Sequence, residues 1–360
     1  MKAAVMTGAR QPLQIQDVQI DKPGPREVLI RTAAAGLCHS DLHFIEGDYS
    51  LNYPLILGHE AAGVVEAVGS DVTLIKPGDH VIACLSAYCG HCAECLGGRM
   101  NLCVVDDTDR GKEEPSRLST PAGQPVTQFY NVSGFAEQIL THEHAVVAIR
   151  KDMPLDLASV IGCAVMTGYG AVVRTARVEP GETVAVIGCG GIGLSAINAA
   201  AMTGAGRIIA IDTQPAKEAF ARTFGATDFI NAAEVDAVEA VKDLTSGGVN
   251  HAFECVGVTA LAEQAFEMIR RGGVATMIGM FPPTGKITLP SRYFMGEKRI
   301  QGSYMGSNRF PIDMPRLVDF YMQGKLKLDD LVSHRLRLDQ INEGFAEMKT
   351  GQFARSVVVF

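Results

Sequence analysis

Residues 184–206 constrain the fold more than any other stretch. These 23 residues carry no charge and are long enough to cross a bilayer as one helix. They also hold six glycines and Asn198, with four of the glycines inside the six positions from Gly188 to Gly193. A short apolar strand, a glycine turn and an Ala-rich helix account for that pattern better than a membrane span. Residues 1–10 lack the apolar core of a signal peptide. The expectation is a soluble, cytoplasmic chain with no membrane partner.

With 360 residues, nearly half of them apolar, two domains with separate cores are expected. The first part, to about residue 150, reads as short strands broken by Gly and Pro, for example 27–33, 62–68 and 80–84, which suggests a barrel. Residues 104–128 are rich in Asp, Pro and Thr and read as a long loop, functional or mobile. From 183 onward the pattern alternates. Strands are predicted at 184–187, 207–211, 228–230, 251–254 and 274–278. Helices such as 215–224 and 259–271 separate them, which predicts a doubly wound parallel sheet. Residues 355–360 return to a strand. The net charge of −8, with no basic run longer than Lys298-Arg299, argues against a nucleic-acid partner.

The run Gly188-Cys189-Gly190-Gly191-Ile192-Gly193 has the spacing G-x-G-x-x-G. It follows an apolar strand and opens a helix, and Asp212 closes the next strand 19 residues after Gly193. That whole context, rather than the glycines alone, points to a dinucleotide site. Gly188 permits the tight turn, Gly190 lets backbone approach a pyrophosphate, and Gly193 lets helix and strand pack closely. The helix N-terminus faces the anion. Asp212 can accept both ribose hydroxyls and repels a 2′-phosphate, so NAD is expected over NADP.

Nine cysteines are present, and Cys89, Cys92, Cys95 and Cys103 crowd into fifteen positions. Without a secretion signal such clustering favours metal over disulfides. Four thiolates make a closed tetrahedral zinc site, which is structural because no coordination position stays open. His91 lies inside the cluster as a bystander. A four-cysteine knuckle can also be a binding ribbon, but the acidic chain argues against that. Cys38, His59 and Cys163 are scattered in the sequence. If they converge, two thiolates and one imidazole leave a zinc position open for a substrate oxygen. Cys163 alone would read as a small buried apolar residue.

These residues carry a family resemblance. The signature G-H-E-x2-G-x5-G-x2-V is met at Gly58, His59, Glu60, Gly63, Gly69 and Val72. The cysteine lobe and the glycine fingerprint follow in the same order as in zinc-containing medium-chain alcohol dehydrogenases, which the chain resembles over its full length. The resemblance implies a GroES-like catalytic barrel from 1–164 and 305–360, and a Rossmann NAD-binding domain from 165–304. It implies two zinc ions per chain, the catalytic one on Cys38, His59 and Cys163, where Lewis-acid stabilisation favours the alkoxide. Ser40 matches the hydroxyl that accepts the substrate proton, and the relay runs on through the nicotinamide ribose to His43. Asp41 matches the carboxylate that orients His59. Glu60 matches a glutamate behind the metal that approaches it during ligand exchange. Arg355 matches the arginine that clamps the cofactor pyrophosphate, His39 a cofactor-binding position that is often arginine, and Lys217 one beside Asp212 at the adenosine ribose. Ile192 and Thr167 would lie at the nicotinamide.

The resemblance also sets the alternatives. A polyol dehydrogenase would carry glutamate in place of Cys163. A thiol-adduct (formaldehyde-type) dehydrogenase usually has tyrosine at the His43 position and an arginine where this chain has Asp107. That makes glutathione adducts poor candidates and leaves another thiol carrier, such as mycothiol, open. A non-catalytic zinc- and NAD-binding protein would show a broken site, and none of the named residues is missing. The substrate is read as a small alcohol or aldehyde. Tyr49, Leu85, Phe129 and Tyr130 are expected at its pocket, which suits hydrophobic or aromatic alcohols. A homodimer through the sheet edge at 300–302 is expected, with a tetramer as the alternative.

Overall fold

The computed structural model describes residues 1–49, 51–111 and 113–360. They form two compact units, Met1–Cys163 with Arg309–Phe360, and Ala164–Asn308. Among the described residues no single helix is long and apolar enough to cross a membrane.

The first unit is built on the strand Glu27–Gly36. One edge of it pairs antiparallel with Glu60–Val68, in a register that sets Gly36 opposite Glu60. The other edge is shared. Gln138–His142 takes the first half and Arg355–Val359 the second, with Val357 opposite Gly36. The sheet order across the strands is Val146–Ile149, His80–Ala83, Glu60–Val68, Glu27–Gly36, Arg355–Val359 and Val332–Leu336. Small residues make this crossing tight. A Cβ on Gly63 would run into the carbonyl of Arg31, and one on Gly36 into the carboxylate of Glu60.

The stretch expected as an open loop, 104–128, is more ordered than its composition suggests; its Lys112 lies outside the described residues. Leu118–Ser119 pairs with Gln19–Ile20, and Thr127–Gln128 runs parallel to Leu55–Ile56. The main tether is ionic. Glu27, 5 % exposed, takes Arg110 at 2.6 Å and Arg117 at 2.7 Å. Arg110 also reaches Asp21, and Arg117 reaches Gln128, Asn131 and the carbonyl of Thr108. Burial works against ionising Glu27, but the two guanidinium hydrogen bonds outweigh it and hold the carboxyl down at about 2.

In the second unit all six strands are parallel, in the order Asp228–Asn231, Arg207–Asp212, Thr183–Ile187, Val249–Glu254, Ile269–Met277 and Arg299–Gly302. The doubly wound sheet expected from the alternating pattern is present, and the uncharged 184–206 stretch is its central strand, turn and helix Gly191–Thr203. One boundary differs. The helix expected over 259–271 ends at Met268, and Ile269 is extended and pairs with Val249. Ile269 is fully buried, so its side chain is worth more in the sheet core than one more helical turn. The helix expected from 215 starts at Lys217, within the usual uncertainty of helix ends.

The tether predicts an acid-dependent contribution to stability. A carboxyl depressed in the folded state stabilises above its unfolded value near 4 and loses that contribution as the pH falls toward 2. Glu27→Gln should lower unfolding stability at pH 7 by about 3 kcal/mol, the low end for a broken buried pair because both arginines keep other acceptors. The gap from the unmodified protein should close between pH 4 and pH 2 in chemical denaturation. A gap independent of pH would show that the pair is not what anchors this segment.

Candidate active site

Strand ends place the site in the first unit. The Glu27–Gly36 strand runs out into Leu37 and Cys38, and the Glu60–Val68 strand begins just after His59. Because Gly36 faces Glu60 in the register, Cys38, His59 and Glu60 arrive at the same end of the sheet. The amide of Leu37 donates to the carbonyl of Ser356 at 3.0 Å, which brings Arg355 there too. Cys163 follows the turn Val160–Gly162, whose Gly162 lies so close to the carbonyl of Ala83 that a Cβ would meet it at 2.7 Å. The donor atoms of Cys38, His59, Glu60 and Cys163 lie within 4.8 Å of one another, and all four residues are buried.

Asp41 organises this cluster. It lies on the helix His39–Glu46 and is fully buried. Its carboxylate accepts from the amides of Cys38 (3.3 Å) and Gly58 (3.1 Å) and from Nδ1 of His59 (3.1 Å). With Nδ1 donating, the Nε2 lone pair of His59 is the one left for a ligand. Burial disfavours a charged His59, but the Asp41 carboxylate and the Cys38 sulfur raise it well above its ordinary value. The two thiols share a proton: the hydrogen bond from Cys163 lowers Cys38, and Cys163 is raised. Burial lifts Glu60 to about 8 against the pull of Arg355. Glu60 Oε1 accepts from Arg355 at 2.6 Å, while its Oε2 is buried with no partner.

These residues fit a divalent metal. The donors are soft thiolates and an imidazole, the carboxylate has an orphaned oxygen, and the fully ionised acids Cys38, Asp41, Glu60 and Cys163 would outnumber the one guanidinium by three charges. Cys89, Cys92, Cys95 and Cys103 form a second group with donor atoms within 4.8 Å. Cys89 lies 3.8 Å from Cys95, and Cys92 lies 3.9 Å from Cys103. His91 points away from them to Asp107, at 2.5 Å.

Around the first cluster, Ser40 Oγ is 3.7 Å from Cys38 Sγ. His43, on the same helix, pairs through Nδ1 with Asp48 at 2.8 Å. Asp48 is not among the residues the sequence singles out; its only signal there is the spacing His-x3-Gly-Asp. Arg355 was expected at a cofactor pyrophosphate. Here it is 5 % exposed, and its guanidinium bonds the Leu37 carbonyl and Glu60. His39 is exposed. Of the expected pocket residues, Leu85 and Tyr130 line a cavity of about 620 Å³. Phe129 is buried, its ring edge-on to His59 at 5.8 Å, and Tyr49 packs on Phe44. The cavity is more polar than expected: Asp106, Asp109 and Glu114 line it, and its Arg110 and Arg117 are already paired with acids.

In the second unit Gly188 has φ 92° and a Cβ there would meet Val256 at 2.5 Å. A Cβ on Gly193 would run into the Gly188 carbonyl, whereas one on Gly190 would point into open space. The turn is therefore closed on the protein side and open on the other, as a pyrophosphate cradle requires. Asp212 accepts from the amides of Cys189 (2.8 Å) and Gln214 (3.0 Å). Lys217 is buried, which lowers its pKa against the pull of Asp212. Ile192 is half-buried beyond Gly191, and Thr167 Oγ1 lies 3.6 Å from the sulfur of Met305.

Residues 24–151 match the family model "Alcohol dehydrogenase GroES-like domain", and residues 191–322 match "Zinc-binding dehydrogenase". The chain is 39 % identical to an alcohol dehydrogenase class-3 of Cereibacter sphaeroides, covering 100 % of this chain and 99 % of the relative. The chain belongs to the zinc-binding alcohol dehydrogenase family. It is also 36 % identical to the S-(hydroxymethyl)glutathione dehydrogenase of Saccharomyces cerevisiae, covering 99 % of this chain and 95 % of that one. Among solved structures it is similar to benzyl alcohol dehydrogenase from Acinetobacter calcoaceticus, with a TM-score of 0.94 and 32 % identity over 100 % and 99 % of the two chains. The family explains the fold of both units: a GroES-like catalytic unit and a Rossmann unit.

Two donor sets predict two zinc ions per chain, read by elemental analysis of protein purified without added metal. Cys92→Ser should bring the stoichiometry to about one, because the four-cysteine site loses a thiolate that a neutral hydroxyl does not replace, while the buried Cys38, His59 and Cys163 set is untouched. Two ions retained in that variant would remove the four-cysteine group as a metal site.

Proposed function

We propose that this zinc-dependent dehydrogenase interconverts alcohols with aldehydes or ketones by hydride transfer to and from NAD. The observation that carries the reading is the buried convergence of Cys38, His59 and Cys163 beside the hydroxyl of Ser40. Zinc held by those three residues would supply Lewis-acid stabilisation to a substrate oxygen, and the nicotinamide would be the hydride acceptor. The chain's own groups do the rest. Asp41 fixes the ring of His59. Glu60, held by Arg355, keeps a free oxygen among the ligands. Ser40 has a hydroxyl that donates and accepts at once, so it passes the alcohol proton without holding charge. His43 receives it and returns it to solvent. Gly188 to Gly193, with Asp212 and Lys217, hold the dinucleotide, and Thr167 and Ile192 complete the contacts this unit makes with it.

On substrate, two readings have support. The Acinetobacter calcoaceticus neighbour favours aryl alcohols, as do Leu85 and Tyr130 at the cavity. The relatives named for S-(hydroxymethyl)glutathione favour a thiol adduct. Three carboxylates at the cavity and Asp107 paired with His91 disfavour the anionic glutathione tail, so we take a neutral alcohol as the substrate class. None of the nine cysteines is in a disulfide, which suits a cytoplasmic protein. Arg299–Gly302 is an edge strand of its sheet and would pair across a two-fold axis, so light scattering should read a dimer mass.

A panel of primary, secondary, aryl and S-(hydroxymethyl)glutathione substrates with NAD and NADP tests the reading. NADH formation should be highest with aryl or apolar alcohols. No turnover on any of them, with zinc and NAD bound, would leave a binding protein instead. NAD should exceed NADP in kcat/KM, and Asp212→Gly should narrow the gap; equal efficiency in the unmodified enzyme would contradict the Asp212 role.

Ser40→Ala should lose at least ~100-fold in kcat, in line with general acid–base contributions. His43→Gln should lose less, because water reaches the outer end of the relay, and raising the pH should restore part of it. Near-normal turnover of Ser40→Ala with zinc content intact would mean the proton leaves by another route.

A further inference from the structure

The helix His39–Glu46 ends in a turn that folds the chain back on His43. Gly47 takes φ 80°, and its amide donates to the carbonyls of His43 and Phe44. A side chain at Gly47 would be strained at that φ, and its Cβ would meet Ala9 at 3.0 Å. The next residue is Asp48. Its amide donates to the carbonyl of His43 at 3.0 Å, and its carboxylate accepts from the ring Nδ1 of the same histidine at 2.8 Å. One residue therefore holds both the main chain and the side chain of His43. The ring is 32 % exposed, so one side remains open. Tyr49 stands edge-on to it at 6.4 Å. The nearby charges at the helix end are engaged elsewhere: Arg10 donates to the Glu46 carbonyl, and Lys349 pairs with the Glu46 carboxylate.

A carboxylate has no proton to give, so the Nδ1–Asp48 contact requires the proton on Nδ1. The neutral ring then carries its lone pair on Nε2. We infer that Asp48 is a positioning residue for the proton relay: it fixes His43 as the Nδ1–H tautomer and leaves Nε2 to receive the substrate proton. The step balances simply. The alcohol proton arrives through Ser40 and forms a new N–H bond at Nε2. The imidazolium stays paired with the Asp48 carboxylate until Nε2–H is lost to water. A histidine without such a carboxylate favours the other tautomer, which presents a donor where an acceptor is needed. The inference rests on the reading of His43 as the outer base of the relay.

The test uses the zinc-loaded enzyme with its histidines labelled with 15N, and His43→Gln to assign the ring. The unmodified enzyme should show Nδ1–H at His43, and Asp48→Ala should show mainly Nε2–H. Turnover in Asp48→Ala should fall about tenfold with KM nearly unchanged, below the general range for a removed base because water reaches this end. Asp48→Asn, which keeps the volume, should fall comparably. In a His43→Gln background Asp48→Ala should add no further loss. Nε2–H in the unmodified enzyme would overturn the assignment. So would additive losses in the double variant, which mark a merely structural role. If the tautomer changes as expected but His43→Gln itself keeps full turnover, the relay reading fails and the role of Asp48 in it goes too, while its hold on the ring stands.

Discussion

Everything in the catalytic unit answers to one electrostatic constraint: a concentration of acids buried at the end of a sheet. Cys38, Cys163, Glu60 and Asp41 meet there out of water, with one guanidinium, Arg355, and one imidazole, His59, to balance them. Burying unpaired charge on this scale is prohibitive. Without a cation the site lowers its charge by keeping protons, which is why Cys163 and Glu60 are pushed up while Cys38 alone is pushed down. A divalent metal removes the need for those protons. The same feature that makes the cluster costly when bare makes it a strong zinc site.

The supports around the cluster follow from that constraint. Asp41 spends its carboxylate on two backbone amides and the His59 ring, so a fully buried charge meets three donors rather than none. Arg355 is carried in by the C-terminal strand, more than three hundred residues after the ligand beside it. The helix that supplies Asp41 also supplies Ser40 and His43. One helix therefore carries both the carboxylate that orients His59 and the two residues of the proposed relay, and the turn at Gly47 and Asp48 closes its far end.

Much of this could be read from the sequence, and the reasons differ by feature. The glycine turn is legible because three backbone requirements, at Gly188, Gly190 and Gly193, each demand the same residue type within one short run. The four-cysteine group is legible because its ligands are local. Cys38, His59 and Cys163 become a set only through family resemblance, since spacing says nothing about convergence across a sheet. Composition misled over 104–128. Polar residues there suggested an open loop, but two of its arginines find a buried partner some ninety residues earlier. Ile269 fits a helix in the sequence because a buried apolar residue suits either state, and only the pairing with Val249 decides it. Asp48 went unnoticed because an acid five residues after a histidine has no meaning until a turn brings them face to face.

The register that sets Gly36 opposite Glu60 has a consequence for how such a protein can change. Inserting or deleting one residue in either strand would turn Cys38 or His59 to the opposite face and dismantle the metal cluster at a stroke. The segment that lines the cavity is under no such rule. It is held to the barrel by side chains at Arg110 and Arg117, with short two-residue pairings, so its length and composition can drift while the anchors hold. The metal cluster and the cavity wall are thus set by separable parts of the chain, one fixed by strand pairing and the other held by side-chain anchors.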